Sequence, residues 1–154
     1  MSSPHLRPAP APRRLKPIHV GTAPEDGAAT RLSFELGIDS FFGASHAMRP
    51  GGPRHTHSFR IQATFVTDEV DDEGMVVGFR EVSDLLEREA KRYANCFIND
   101  VPPFDVIQPT GENIATVVFK NLAASLETEL EAAPRLIAVT LWESPTSYVK
   151  VKAV

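Results

Sequence analysis

At 154 residues the chain is long enough for one core of ordinary size and too short for two, and folding should bury about 70% of its unfolded surface. Hydrophobic residues make up 42% and charged residues 23%, ordinary globular values, and no apolar run nears the ~20 residues a membrane helix needs. Net charge is −4, yet the first 17 residues hold Arg7, Arg13, Arg14 and Lys16 with no acid, so the remainder carries −8, which argues against a nucleic-acid surface. No continuous apolar segment of about 7–15 residues marks a secretory leader, so a cytoplasmic protein is expected. The lone Cys96 forms no internal disulfide and no multi-thiolate zinc site, which leaves His, Asp and Glu as ligands for any metal.

Pro4 to Pro17 contains five prolines and no hydrophobic periodicity, so residues 1–17 are expected to be a mobile tail and 18–154 one domain. From 31 to 46, Leu32, Phe34, Leu36, Ile38, Phe42, Ala44 and His46 share one parity while Ser33, Glu35, Asp39 and Ser45 take the other. That is a half-buried strand. His55, His57, Phe59, Ile61, Ala63 and Phe65 repeat the pattern over 55–66, and the intervening Arg49-Pro50-Gly51-Gly52-Pro53-Arg54 predicts an antiparallel hairpin. Residues 80–93 place Val82, Leu85, Leu86, Ala90 and Tyr93 at helical spacing. A second helix should start after Pro109, capped by Thr110, and stop near Pro134. Ile137, Val139 and Leu141 then alternate, and after Ser144-Pro145-Thr146 a last strand runs from Ser147 to Val151. The order ββααββ predicts an α+β domain with two helices on one face of an antiparallel four-stranded sheet.

His55 and His57 project from one strand face roughly 7 Å apart. If the hairpin register sets His46 opposite His55, three imidazoles share that face and make the ligand set of a zinc site with one open position. Interior histidines that simply satisfy hydrogen bonds give the same pattern. Glu143 shares the parity of Val139 and Leu141. It either points with the apolar stripe, where a carboxylate needs donors such as the adjacent N–H and amino groups of a flat heterocycle, or ends the strand in solvent. Thr110, Glu112 and Asn113 form a helix cap that would serve equally without a ligand or beside one.

Several segments together resemble the 6-pyruvoyl-tetrahydropterin synthase and 6-carboxy-tetrahydropterin synthase family. They are Phe42-Gly43-Ala44-Ser45-His46, His55-Thr56-His57-Ser58-Phe59, Gly74-Met75-Val76-Val77-Gly78-Phe79, Ile98-Asn99-Asp100-Val101-Pro102-Pro103-Phe104-Asp105, Pro109-Thr110-Gly111-Glu112-Asn113-Ile114-Ala115 and Trp142-Glu143-Ser144. The resemblance implies a T-fold whose sheets join edge to edge into a trimeric barrel, two barrels stacking as a homo-hexamer with sites between subunits. It implies zinc on His46, His55 and His57, and a pterin ring anchored by Glu143, with Thr110 lining the same pocket and Glu112 beside it.

The acid–base residues of that family are where this sequence departs. Family members place a cysteine base four residues before the H-x-H pair, where this chain has Gly51, and an Asp-His relay where it has Ala94-Asn95. The family aspartate of G-M-V-x-D-F is Gly78, and the glycine between the metal histidines is Thr56. Removing a carbon-bound proton needs a positioned base, so no residue is expected to be catalytic. The reading is a pterin-binding homologue that retains the ligand set, with bound zinc less certain than its ligands suggest. Two others fit the same residues. One is an active zinc-dependent lyase, breaking a carbon–oxygen or carbon–carbon bond of dihydroneopterin triphosphate with a base from His19, Cys96 or a neighbouring subunit. The other is a structural hexamer with a vestigial pocket.

Overall fold

The computed structural model describes residues 32–76 and 78–154; the expected tail at 1–17 lies outside these residues, as does His19. Strand β1 (Phe34–His46) and strand β2 (His55–Thr67) form a long antiparallel hairpin. Helix α1 (Phe79–Lys91) and helix α2 (Gly111–Glu129) follow, then strands β3 (Arg135–Ser144) and β4 (Ser147–Lys152). The sheet runs β1-β2-β3-β4 with every neighbour antiparallel. Helix α1 lies on β1, and α2 on β3 and β4. The two helices therefore cover one face, as the alternation of apolar residues requires. Among the described residues no helix is long and apolar enough to cross a membrane.

The core forms where the apolar parity of each strand meets the helices. Phe42 stands opposite Phe59 with ring centroids 5.0 Å apart, and Ile61 and Ala63 stand opposite Leu141 and Val139. Tyr93 joins from beyond α1, its ring 6.0 Å from Phe42 and 5.7 Å from Phe104. The stripe is not buried along its whole length: Leu32 is 59% and Phe34 37% exposed, because this end of β1 borders an open cleft shared with Val66, Glu131 and Arg135.

Three boundaries differ from the sequence periodicity. Helix α1 stops at Lys91, since the chain tightens into bonds three residues back at Arg92 and Tyr93 and then turns left-handed at Asn95 (φ 57), a conformation asparagine tolerates. Helix α2 stops at Glu129, short of Pro134, because Pro134 needs extended chain before it and pairing with β2 begins at Arg135. A register shift opposite Thr64/Phe65 sets Leu136 across from Phe65, so Leu136 takes the buried place that simple alternation assigns to Ile137.

The helix-free face is polar and aromatic. Arg60 pairs with Asp39 at 2.8 Å and lies 4.3 Å over the Trp142 ring, while Gln62 donates to the same carboxylate.

Between the helices sits one buried carboxylate. Glu89 accepts from Asn121 (2.6 Å), Arg92 (3.2 Å) and the Tyr93 hydroxyl (3.3 Å). Burial first, and then the Glu89 charge, raise the Tyr93 phenol well above its ordinary range, so it remains a donor. Glu89→Ala leaves these donors without an acceptor and should lower stability by about 2–3 kcal/mol. Glu89→Gln, which keeps one acceptor oxygen, should lose less. Urea unfolding midpoints check the order, and equal midpoints for wild type and Glu89→Ala would discount the clamp.

Candidate functional site

The hairpin register sets His46 directly opposite His55 and Ala44 opposite His57. All three imidazoles consequently share the helix-facing side at one end of the sheet. His46 is buried, His57 half-buried and His55 exposed. Ring centroids lie 5.1 Å apart for His46–His57, 6.2 Å for His46–His55 and 6.4 Å for His55–His57. Phe59 closes the inner side of the group, 5.3 Å from His57 and 5.8 Å from His46.

His46 has a fixed orientation. Its Nδ1–H donates to the Pro109 carbonyl at 2.7 Å, which leaves Nε2 as the nitrogen that can hold a ligand. Asn99 secures the chain just beyond: its amide accepts from Ala47 N at 2.8 Å and donates to Ala47 O at 2.9 Å. Both contacts were hidden in the sequence. A backbone carbonyl carries no residue-type signal, and Asn99 stands 52 positions from its partner.

These donors suit zinc. A tetrahedral ion with zinc–nitrogen bonds of about 2.0–2.1 Å sets ring centroids roughly 5 Å apart. His46 and His57 already stand so; His55 must turn inward by about an ångström relative to both to complete the set. As the side chains stand, no group of three or more His, Cys, Asp or Glu among the described residues is placed to hold a metal ion.

The register shift between Trp142 and Ser144 leaves Glu143 out of the β3–β4 ladder and aims it at the start of α2. A Cβ on Gly111 would come within 3.3 Å of Glu143 Oε1 and 3.3 Å of Val149 Cγ1. Glycine thus admits the carboxylate to the first turn of the helix, where the helix dipole favours negative charge. Thr110 accepts from Asn113 N at 3.2 Å, so its own hydroxyl hydrogen remains free to donate. Glu112 is exposed on the same turn. The segment Pro109-Thr110-Gly111 therefore joins His46 at one end to Glu143 at the other.

A separate cleft of about 240 Å³ opens beside Ala47 between the β1–β2 loop and the 97–108 segment. On its wall, Arg49-Pro50-Gly51-Gly52 makes a tight turn, with Gly52 N donating to Arg49 O at 2.9 Å and Gly51 left-handed at φ 72. Proline second and a positive-φ residue third require glycine at position 51. Ala94 and Asn95 lie in the turn after α1, where the Asn95 N–H donates to Gly43 O at 2.7 Å. Cys96 is half-buried and its thiol donates to Tyr93 O at 2.9 Å. Burial, and next the Asp100 charge, push that thiol up from its ordinary range, which leaves less thiolate to take a proton near neutral pH.

The family model for 6-pyruvoyl tetrahydropterin synthase matches residues 35–153. A curated relative, 6-carboxy-5,6,7,8-tetrahydropterin synthase of Bacillus subtilis (strain 168), is 32% identical over 129 residues, covering 75% of this chain and 83% of its own. Among solved structures, 6-pyruvoyl tetrahydropterin synthase of Caenorhabditis elegans superposes with a TM-score of 0.70 at 16% identity, covering 80% of this chain and 97% of that one. A catalytic-residue mutant of Plasmodium vivax 6-pyruvoyltetrahydropterin synthase gives 0.57 at 16% identity, covering 78% and 97%. These likenesses establish the T-fold.

Because a raised thiol pKa leaves less thiolate at any given pH, native Cys96 should react with a disulfide reagent at pH 8 more slowly than in unfolded chain. Its rate should climb as pH rises beyond the ordinary thiol range. Equal native and unfolded rates would show an open, reactive thiol.

Proposed function

Because this chain belongs to the 6-pyruvoyl tetrahydropterin synthase family, we propose that it binds a pterin between the end of β3 and the start of α2, without the acid–base chemistry usual in that family. The observation that carries this reading is the seat of Glu143. Its carboxylate lies against Gly111, the residue that follows the Thr110 cap, and offers two acceptor oxygens. A pterin edge offers an amino group and a ring N–H side by side, so it can donate to both oxygens at once. Thr110 adds a donor on the same turn, with Glu112 beside it.

His46, His55 and His57 are the residues that would hold zinc, which when bound supplies a Lewis acid for oxygens of a ligand side chain. The protein's own part is orientation. The Pro109 carbonyl directs Nε2 of His46 outward, and Phe59 keeps water from the inner side of the imidazoles.

Proton transfer is what the chain lacks. Positions 51, 94 and 95 carry Gly, Ala and Asn, none of which exchanges a proton near neutral pH. The geometry at Gly51 and the hydrogen-bonded thiol of Cys96 both support binding without turnover. The open outer edges of β1 and β4 suit a barrel of joined sheets, and the homo-hexamer of two stacked trimers belongs to the same reading.

Neopterin fluorescence titration tests the pocket. Wild type should bind, and Glu143→Gln should bind roughly tenfold or more weakly; equal, weak binding by both would discard the pterin. Metal analysis should find near one zinc per chain, lost in His57→Ala, whereas traces of metal unaffected by the substitution would discard the metal. Incubation with dihydroneopterin triphosphate and zinc should release no product. Turnover would replace this reading with that of an active lyase.

A further inference from the structure

At the end of the sheet away from the imidazoles, the helix-facing side of β1 is left uncovered, with Leu32 59% and Phe34 37% exposed. A cleft of about 720 Å³ opens there, with Leu32, Val66, Asp68, Glu69, Glu131 and Arg135 in its lining. Its two walls carry like charge. On one, Asp68 and Glu69 begin a run with Asp71, Asp72 and Glu73 that places five acids in six positions. On the other, α2 ends with Glu127 and Glu129 and no base in its last turn, and Glu131 follows. A helix C-terminus already carries partial negative charge, so acids there are unfavourable unless a cation meets them. Arg88 pairs with Glu129, whereas Glu69 and Glu131 have no ion-pair partner among the described residues. Arg135 is the one basic side chain among the described residues that line the cleft.

The cations that this cleft lacks belong to the same chain. Arg7, Arg13, Arg14 and Lys16 stand among Pro4, Pro8, Pro10, Pro12 and Pro17 with no acid between them, while the remainder of the chain carries −8. The chain that leads back to them leaves from Leu32, itself part of the lining, and the stretch from Lys16 to Leu32 spans up to about 50 Å when extended. We propose that residues 4–17 dock in this cleft of their own chain, with basic side chains on Glu69 and Glu131 and proline rings over Leu32 and Phe34. Proline sets φ in advance, so laying such a segment along an exposed apolar surface costs less order than it would for ordinary chain. Opposite charge on segment and cleft draws the two together. The cleft lies at the other end of β1 from His46, so docking needs no pterin and no metal.

A carbodiimide, which joins an amine to a carboxylate in contact with it, tests this on the full chain. Lys16 is the one lysine among residues 1–31, so its products can be located by mass spectrometry, and the expected product joins it to Asp68, Glu69 or Glu131. In a mixture of isotope-labelled and unlabelled chains the link should lie within one chain. The variant Arg7→Gln/Arg13→Gln/Arg14→Gln keeps Lys16 and every acceptor, and its yield should fall roughly fivefold. Trypsin gives a second readout. In low salt it should cut wild type after Arg13 and Arg14 roughly fivefold to tenfold more slowly than Glu69→Gln/Glu131→Gln, whose two changes are at exposed positions. Near about 0.5 M salt the two rates should converge, with a free peptide of residues 1–17 reporting the protease's own response to salt. No link from Lys16 to the cleft, a link formed only between chains, or equal cutting of wild type and the glutamine variant in low salt overturns the docking.

Discussion

The hydrogen bond from His46 Nδ1 to the Pro109 carbonyl is the contact on which the site depends. It joins the last residue of β1 to the residue before the cap of α2, positions 63 apart in the chain. A buried imidazole without a partner would be costly; with this one its second nitrogen is left free beside His57, whose ring centroid is 5.1 Å away. The same contact holds the start of α2 against the sheet, so the turn that receives Glu143 and the strand that carries the imidazoles move as one body. Ring anchor and imidazoles would otherwise be two unrelated surface features.

Two departures from regular geometry complete the site. The shift between Trp142 and Ser144 releases Glu143 from the ladder, and the missing side chain at Gly111 lets its carboxylate approach the helix. Either one alone would leave the acid in solvent or hold it away. The β1–β2 loop shows the opposite effect of glycine. There a positive φ at Gly51 closes a tight turn at the place where relatives of this family are expected to carry a thiol. A residue with a β-carbon is strained in that conformation, so the loop geometry and the absence of a base go together.

What could be read from the residues alone was set by local periodicity. Alternation over Leu36–His46 and His55–Phe65 gave both strands and the common parity of His46, His55 and His57, because side-chain direction in a strand follows from counting by two. The Thr110 cap and the ββααββ order were legible for similar reasons. The ends of the helices were not: α1 ends where the chain tightens after Lys91 and turns left-handed at Asn95, and α2 ends ahead of the pairing of Arg135 with β2, which no apolar periodicity contains.

Sequence by itself thus determined the fold class, the family and which side chains could meet, since each follows from spacing along one element or from motifs in order. Only the tertiary structure decided that Pro109 orients His46 and that Gly111 admits Glu143. Those are contacts between segments far apart in the chain. They depend on register shifts, a left-handed turn and the crossing of helix over sheet, quantities that exist only once the chain has closed on itself.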